Sequence, residues 1–551
     1  MFKNHPKGLI VAFFTNMGER FGFYTMMACL VFFLQARYGL AEDTAGDYYS
    51  WFYTLIYGLA LLGGFIADRT QNYKGTIFVG IITMLGGYIL MSIPNMGLAV
   101  SLIALLVIAL GNGLFKGNLQ ALVGQLYDDP KYDKLRDSAF SLFYMGINIG
   151  AFFAPSAANG IRNWFLKSQG YVYDADLPAL CNSYIAGTLT DTGALQQLQD
   201  LANSVSASTV TDLAAFTKNY IDVFSTGYNY AFGIAAVSMV ISLIVYFFFR
   251  GMLPDRKKQI EENKEIIKMP WSQERPRIIA LLLVFLVVIF FWMSFHQNGL
   301  TQSYFARDYT AKAVGAFTYI FFDLKAFLAV IGAIIGLVFL IRKKSELSQK
   351  LIGAALVIAG LFLTYYFYGT YQSSNPIEPE IFQQFNPIFI VFLTPVVVWL
   401  FAYWRKRGVE PSTPRKIGIG MILAALGFVV LIFGSLHLKS PAALGDLPTP
   451  TRVSPYWLIN SYLVLTVAEL FLSPMGISFV SKVAPPRFQG LMQGGWLGAT
   501  AIGNKLLVVG SLMWIRVELW QLWLIFVVCC LASAAFIFSI MKRLERATQN
   551  S

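Results

Sequence analysis

Fourteen apolar stretches dominate this chain, near residues 9–36, 48–67, 76–95, 97–126, 138–159, 228–250, 277–299, 321–342, 350–369, 387–404, 416–436, 456–480, 489–514 and 518–541. An α-helix rises about 1.5 Å per residue, so about 20 apolar residues cross the hydrocarbon core of a bilayer. Within lipid every backbone N–H and C=O needs a partner inside the protein, and for runs of this length the helix supplies it. The expectation is an all-α membrane protein with about 14 transmembrane helices. Glycine and proline inside the runs are tolerated, because neighbouring helices satisfy the freed backbone groups.

The charges are distributed as a bilayer requires. The chain is 56% hydrophobic and 13% charged, where soluble domains carry about 25% charged residues. The net charge of +12 would suggest nucleic acid in a soluble protein. Here the basic residues sit in short loops at alternate helix ends: Arg69 and Lys74; Lys131, Lys134 and Arg136; Arg256, Lys257 and Lys258; Arg342, Lys343 and Lys344; Arg405, Lys406 and Arg407; Lys542, Arg543 and Arg546. The opposite loops, such as 40–47 and 376–380, are acidic or neutral. Under the positive-inside rule both termini are cytoplasmic. The expected setting is a bacterial inner membrane, and the expected partner of the basic residues is the lipid surface, not nucleic acid. The first stretch is too long for a signal-peptide core and is read as the first helix. Cys29, Cys181, Cys529 and Cys530 form no disulfide or metal pattern.

Two segments interrupt the rhythm. Residues 161–227 are polar and fall outside, and amphipathic patterns near 193–206 and 211–224 suggest a small helical cap. The hairpin 321–369 adds two spans without changing orientation, and reads as a lipid-facing brace.

Several charges lie inside apolar runs. A charge at the bilayer centre costs about 2.5–3.5 kcal/mol on insertion scales, so such residues face a wet cavity or one another. Glu19, Arg20, Lys116 and Glu469 are the strongest cases; His296 and Lys505 are further ones. Asn16, Glu19, Arg20 and Phe23 share one helical face, flanked by Tyr24. Lys116 follows Gly111-Asn112-Gly113, whose small residues allow close helix approach. It is placed to hold a carboxylate, from Glu19 or from a substrate. Glu469 precedes Ser473-Pro474 and Gly476, which loosen its helix. A cation in one half and an anion in the other make a dipolar site suited to a zwitterion such as a free peptide.

These residues resemble the proton-dependent oligopeptide transporter family of the major facilitator superfamily. The resemblance rests on Gly63 through Arg69, on Phe140 through Phe152, on Asn386-Pro387, on Glu469 through Gly476, and on Lys482 through Phe488. It implies two six-helix bundles plus an inserted two-helix hairpin. Residues 1–160 and 228–250 would form the first bundle and 161–227 a periplasmic insertion. Residues 251–276 would be a cytoplasmic linker, 277–304 and 385–551 the second bundle, and 305–384 the inserted hairpin. It implies symport of di- and tripeptides with protons by alternating access, as a monomer, driven by the proton gradient with no other cofactor. Lys116 would bind the peptide carboxylate or an acid of the first helix, and Glu469 the peptide amino group. Asn148 and Asn386 would bond the peptide backbone. Tyr24, Tyr57 and Gln297 would line the pocket, and Trp496 would close a side-chain pocket. Glu19, Arg20, Lys116 and His296 would couple protons.

Three departures stand out. The family's first-helix motif ExxERFxYY has Asn16 for its first glutamate and Phe23 for its first tyrosine. Met27 replaces a second arginine, and His296 replaces the acid before Gln297. One acid and one base are lost together, which bears on coupling. His296 is expected to pair, when protonated, with Glu42 or Asp43 as an outer gate. The alternative job for this fold is transport of a drug or other metabolite, or facilitation without proton coupling. A membrane enzyme would need a metal or nucleophile constellation, and the three histidines, His5, His296 and His437, form none.

Overall fold

The computed structural model describes residues 2, 4–128, 131–132, 135–254, 269–342, 345–445, 449–485 and 488–549. Most of the expected 251–276 linker lies outside the described residues, as do Lys134, Lys343, Lys344, Pro486 and Arg487.

Among the described residues, fourteen helices are long and apolar enough to span a membrane. In chain order they are α1 (Lys7–Tyr38), α2 (Glu42–Thr70), α3 (Tyr73–Ser92), α4 (Leu98–Gln125), α5 (Arg136–Ser168), α6 (Leu213–Phe249), α7 (Trp271–Phe295), α8 (Leu324–Ile341), α9 (Leu347–Thr370), α10 (Phe385–Lys406), α11 (Thr413–Ser435), α12 (Tyr456–Val483), α13 (Gln489–Lys505) and α14 (Leu519–Ser539). Helix α1 packs on α5 and α6, and α4 on α2 and α3. In the second half α11 packs on α12 and α14, and α13 on α7. The halves meet along α2 and α13 and along α5 and α10.

The polar segment 161–227 is less separate than its composition suggests. Helix α5 runs on to Ser168, beyond the expected end near 159. The pattern near 211–224 is not a second cap helix but the start of α6, capped by the Asp212 side chain on the Ala215 N–H at 2.9 Å. Phe216, Tyr220 and Phe224 recur every four residues and bury one face of it. The amphipathic signal was correct; the membrane entry of the same helix follows without a break. The other pattern is a free-standing helix, Thr192–Val205, burying Ala194, Leu198, Ala202 and Val205.

Spans α7 and α13 are interrupted near the same end. Helix α7 passes into a 3₁₀ turn, His296–Gly299, and a further helix, Thr301–Asp308. Helix α13 is followed by Val508–Trp514. Gln297 Nε2 stitches the two breaks together by donating to the carbonyls of Met293 at 3.3 Å and Leu507 at 3.2 Å. Backbone groups freed inside a membrane are satisfied in this way.

The α8–α9 hairpin packs chiefly on itself. Gly336 and Gly353 face each other so closely that a Cβ on either would meet the other's carbonyl oxygen. Leu351, Ile358, Phe362 and Tyr365 leave an apolar outer face. At its base, β1 (Ala313–Val314) pairs antiparallel with β2 (Asn375–Pro376). Phe327 of α8 reaches Phe152 of α5 and Ile388 of α10, joining the hairpin to both halves.

Candidate functional site

The α1 charges satisfy each other first. Glu19 and Arg20 are both buried, and Arg20 donates to the two Glu19 oxygens at 2.5 and 2.7 Å. Asn112 of α4 adds a third donor to Glu19, at 2.6 Å. A buried carboxylate is tolerable only with such a full set of donors. Lys116 is thus not the partner of Glu19, as one of the two expectations had it. It stands one turn from Asn112 on the same face of α4, with its Nζ 3.8 Å from the centroid of the Tyr57 ring.

The atypical positions have distinct surroundings. The Arg20 guanidinium lies 4.7 Å above the Phe23 ring, which packs edge-on against Tyr24. Met27 is buried in the apolar core. Asn16 is 4% exposed, and its side-chain nitrogen has no hydrogen-bond partner among the described residues.

The second half presents Glu469 of α12, 7% exposed. Asn386, in the first turn of α10, donates to its carboxylate at 3.1 Å and to Thr466 Oγ1 at 3.0 Å. Pro387 follows without penalty, since a first-turn N–H has no helical acceptor. On α5, Asn148 is bonded to the Tyr144 carbonyl at 3.0 Å. Tyr144 is exposed although it stands beside Glu469. Tyr24 and Tyr57 lie within electrostatic reach of Arg20 and Glu19 on one side and Glu469 on the other. The charges of the two halves therefore meet across a tyrosine-walled space. Trp496 of α13 is buried against Gly476, and its ring occupies the volume a side chain at 476 would need. Gly476 lies two turns from Glu469 on α12.

Two expected residues are engaged elsewhere. Gln297 is fully buried; beyond its two backbone bonds it accepts from Thr301 Oγ1 at 2.8 Å. His296 does not pair with Glu42 or Asp43, which corrects the gate expectation. Its Nδ1 is 2.5 Å from Asn504 Oδ1, and its ring stacks on Trp292 and lies 4.4 Å from Tyr53. Glu42 is held by Arg307 at 3.1 Å, and Asp43 bonds the Thr44 N–H at 2.6 Å. The reason is placement: His296 closes α7 against α13 and not against the start of α2.

At the end bearing the insertion a set of links joins the halves, and apart from Lys505, whose pairing with an outer acid was one of two expectations, the sequence did not point to them. Lys505 of α13 pairs with Asp47 of α2 and lies 4.3 Å over the Trp51 ring. Arg307 donates to Gln35 of α1 at 2.7 Å. Arg452 and Lys312 hold Asp176 at 3.1 and 2.6 Å. Arg162 of α5 pairs with Glu378, at 2.8 Å, and with Glu380. Lys505 and Arg307 carried a signal, being charges near apolar runs. Arg162 carried none, because α5 was expected to end before it. Among the described residues no group of three histidine, cysteine or acidic side chains is placed to hold a metal.

Comparison with known proteins bears on what this arrangement serves. A family model described as PTR2, POT family, matches residues 74–269 and 369–514. The chain is similar to the uncharacterized transporter YclF of Bacillus subtilis (strain 168), at 28% identity over 532 residues, covering 92% of this chain and 87% of the other. It is 26% identical over 525 residues to the peptide transporter YePEPT of Yersinia enterocolitica, covering 91% and 87%. The crystal structure of peptide transporter POT in complex with sulfate aligns with a TM-score of 0.65 and 23% identity, over 99% of this chain and 96% of that one. That likeness shows a shared fold.

Proposed function

Because the chain belongs to the POT family, we propose that this multi-pass membrane protein imports di- and tripeptides into a bacterial cell by proton-coupled symport. One observation carries the reading: Tyr57 touches Lys116 and stands within electrostatic reach of Glu469, so a cation of one half and a carboxylate of the other address one space. A peptide of two or three residues is a zwitterion of matching polarity. Its carboxylate would bind Lys116 where the Tyr57 ring holds it, and its amino group would bind Glu469. Asn386, already on Glu469, and Asn148 would take peptide backbone groups. Tyr24 and Trp496 would bound the side chains.

Proton coupling is assigned to Glu19 with Arg20. Protonating Glu19 would free Arg20 from a bidentate pair and change the field at Lys116, two residues that the substrate carboxylate then finds unoccupied. One charge moving down 100 mV supplies about 2.3 kcal/mol, enough for roughly a 50-fold gradient at about 1.4 kcal/mol per tenfold. The two halves would rock about this site. With both termini cytoplasmic, the insertion-bearing end is the outer one, and its ion pairs hold that side shut in the state described. The protein would work as a monomer in the inner membrane.

Asn16 favours a second reading, transport with altered or absent coupling or of another small solute. Its buried, unpartnered amide nitrogen stands where the family motif has a glutamate. Uptake of labelled dialanine into proteoliposomes, with and without an inward proton gradient, separates the two. Accumulation only with the gradient supports symport. Equilibration indifferent to it removes the coupling, and no uptake removes the peptide.

A further inference from the structure

The outer end holds a charge cluster that does not balance. The Arg162 side chain is fully buried, and so is that of Glu380; Glu378 is 17% exposed. Arg162 donates to Glu378 Oε2 at 2.8 Å and to Glu380 Oε1. The Tyr228 hydroxyl donates to the same Glu380 oxygen at 2.8 Å, and Asn163 donates to Glu378 Oε1. Glu380 Oε2 is buried and has no hydrogen-bond partner among the described residues. One guanidinium thus faces two carboxylates, and one carboxylate oxygen is buried bare. A buried charge left uncompensated is among the most expensive arrangements a protein holds.

We propose that Glu378 and Glu380, clamped on Arg162, form a proton-binding site that takes up one proton as the outer ends of the two halves close. The clamp joins α5 of the first half to the turn before α10 of the second, so it exists only while those ends touch. One proton converts one of the two carboxylates to a carboxylic acid and brings the cluster to neutrality. When the ends part, water reaches both carboxylates and the proton leaves to bulk. Burial lifts the Glu378 carboxyl above the usual carboxylate range, against the pull of Arg162 and aided by repulsion from Glu380.

Among the described residues, the other titratable groups facing the pair are Cys29 of α1, Tyr228 of α6, Tyr173 after α5 and Tyr319 before α8, none of them a cation. Lys312, whose carbonyl accepts from the Ile377 N–H, is taken by Asp174 and Asp176. On Thr301–Asp308, which packs on the same turn, Arg307 is taken by Asp308 and Glu42. Helix α10 has no titratable side chain before Tyr403. By linkage, the state that binds the proton more tightly gains as pH falls. Acid outside therefore favours the outward-closed form. The direction of "outside" rests on the proposed function; the proton site does not.

The test uses purified full-length protein in nanodiscs and needs no transport. Infrared difference spectra between about pH 5 and about pH 8 read buried protonated carboxyls. Nitroxides at Lys167→Cys and Lys439→Cys, exposed positions on the two halves, read the outer opening. The wild type should become more closed in acid, with the open fraction changing by about tenfold for each pKa unit separating the two states. Glu380→Gln, which is isosteric and neutral, should delete one protonated-carboxyl band and flatten the distance response. Glu378→Gln is the second variant, and the same result in either supports the site. Wild-type bands and a wild-type distance response in both variants would overturn it, as would a wild-type distance that ignores pH. Failure of dialanine uptake would overturn the transport reading and leave these spectra untouched.

Discussion

The Lys116 ammonium rests 3.8 Å from the centroid of the Tyr57 ring, and no acidic side chain among the described residues pairs with it. The contact holds the cation without neutralising it, which leaves it for an incoming carboxylate. Cation–π contacts are worth about 0.5–2 kcal/mol. Tyr57→Phe keeps the ring and should leave dialanine uptake near wild type. Tyr57→Leu removes it and should lower uptake by roughly 2- to 30-fold at 1.4 kcal/mol per tenfold. Equal uptake by Tyr57→Leu and wild type would show that the ring does not position Lys116.

Asn112 supplies the third donor to buried Glu19. A hydrogen bond to a charged group contributes about 1.5–3 kcal/mol. Asn112→Leu should destabilise the protein by that order in thermal unfolding in detergent. Asn112→Asp, which sets a second carboxylate against the first, should do more damage than leucine. The reverse ranking would remove Asn112 as a support of Glu19.

Lys505 and Asp47 join the halves, yet their side chains are 29% and 42% exposed. Pairs so exposed contribute about 0.2–1 kcal/mol. Lys505→Met should therefore shift the outer distance distribution toward open by no more than about fivefold. The exchanged pair, Lys505→Asp with Asp47→Lys, should recover part of that shift. No recovery in the exchanged variant would mean the two residues act separately.

His296 bonds Asn504 and stacks between aromatic rings, so a neutral donor of similar reach should replace it. His296→Gln is expected to keep the pH profile of dialanine uptake. A displaced profile would restore His296 as a sensor of acidity.

The spans were legible because bilayer thickness fixes their length, and all fourteen appear. Their ends were less so. Nothing apolar marks where α5 stops, so Arg162 read as a loop residue. Its partners Glu378 and Glu380 lie more than 200 positions away, and pairing at that distance leaves no local pattern. Glu19, Arg20, Lys116 and Glu469 were visible because a charge inside an apolar run demands an explanation. Who pairs with whom was not. Glu19 had Arg20 beside it in sequence and needed no lysine, and Asn112 was hidden among small residues read only as helix contacts. His296 was assigned to the wrong neighbours because a broken α7 turns its end toward α13, which periodicity cannot reveal.

The most direct measurement is the affinity of purified protein for dialanine against its N-acetylated and C-amidated forms, repeated in Lys116→Ala and Glu469→Gln. Each lost charge contact of about 1.5–3 kcal/mol predicts roughly 10- to 150-fold weaker binding of each blocked peptide to the wild type. Lys116→Ala should bind dialanine and its amide alike, and Glu469→Gln should bind dialanine and its acetylated form alike. Equal affinity of the wild type for all three peptides, or unchanged discrimination in both variants, would contradict a site built from these two charges.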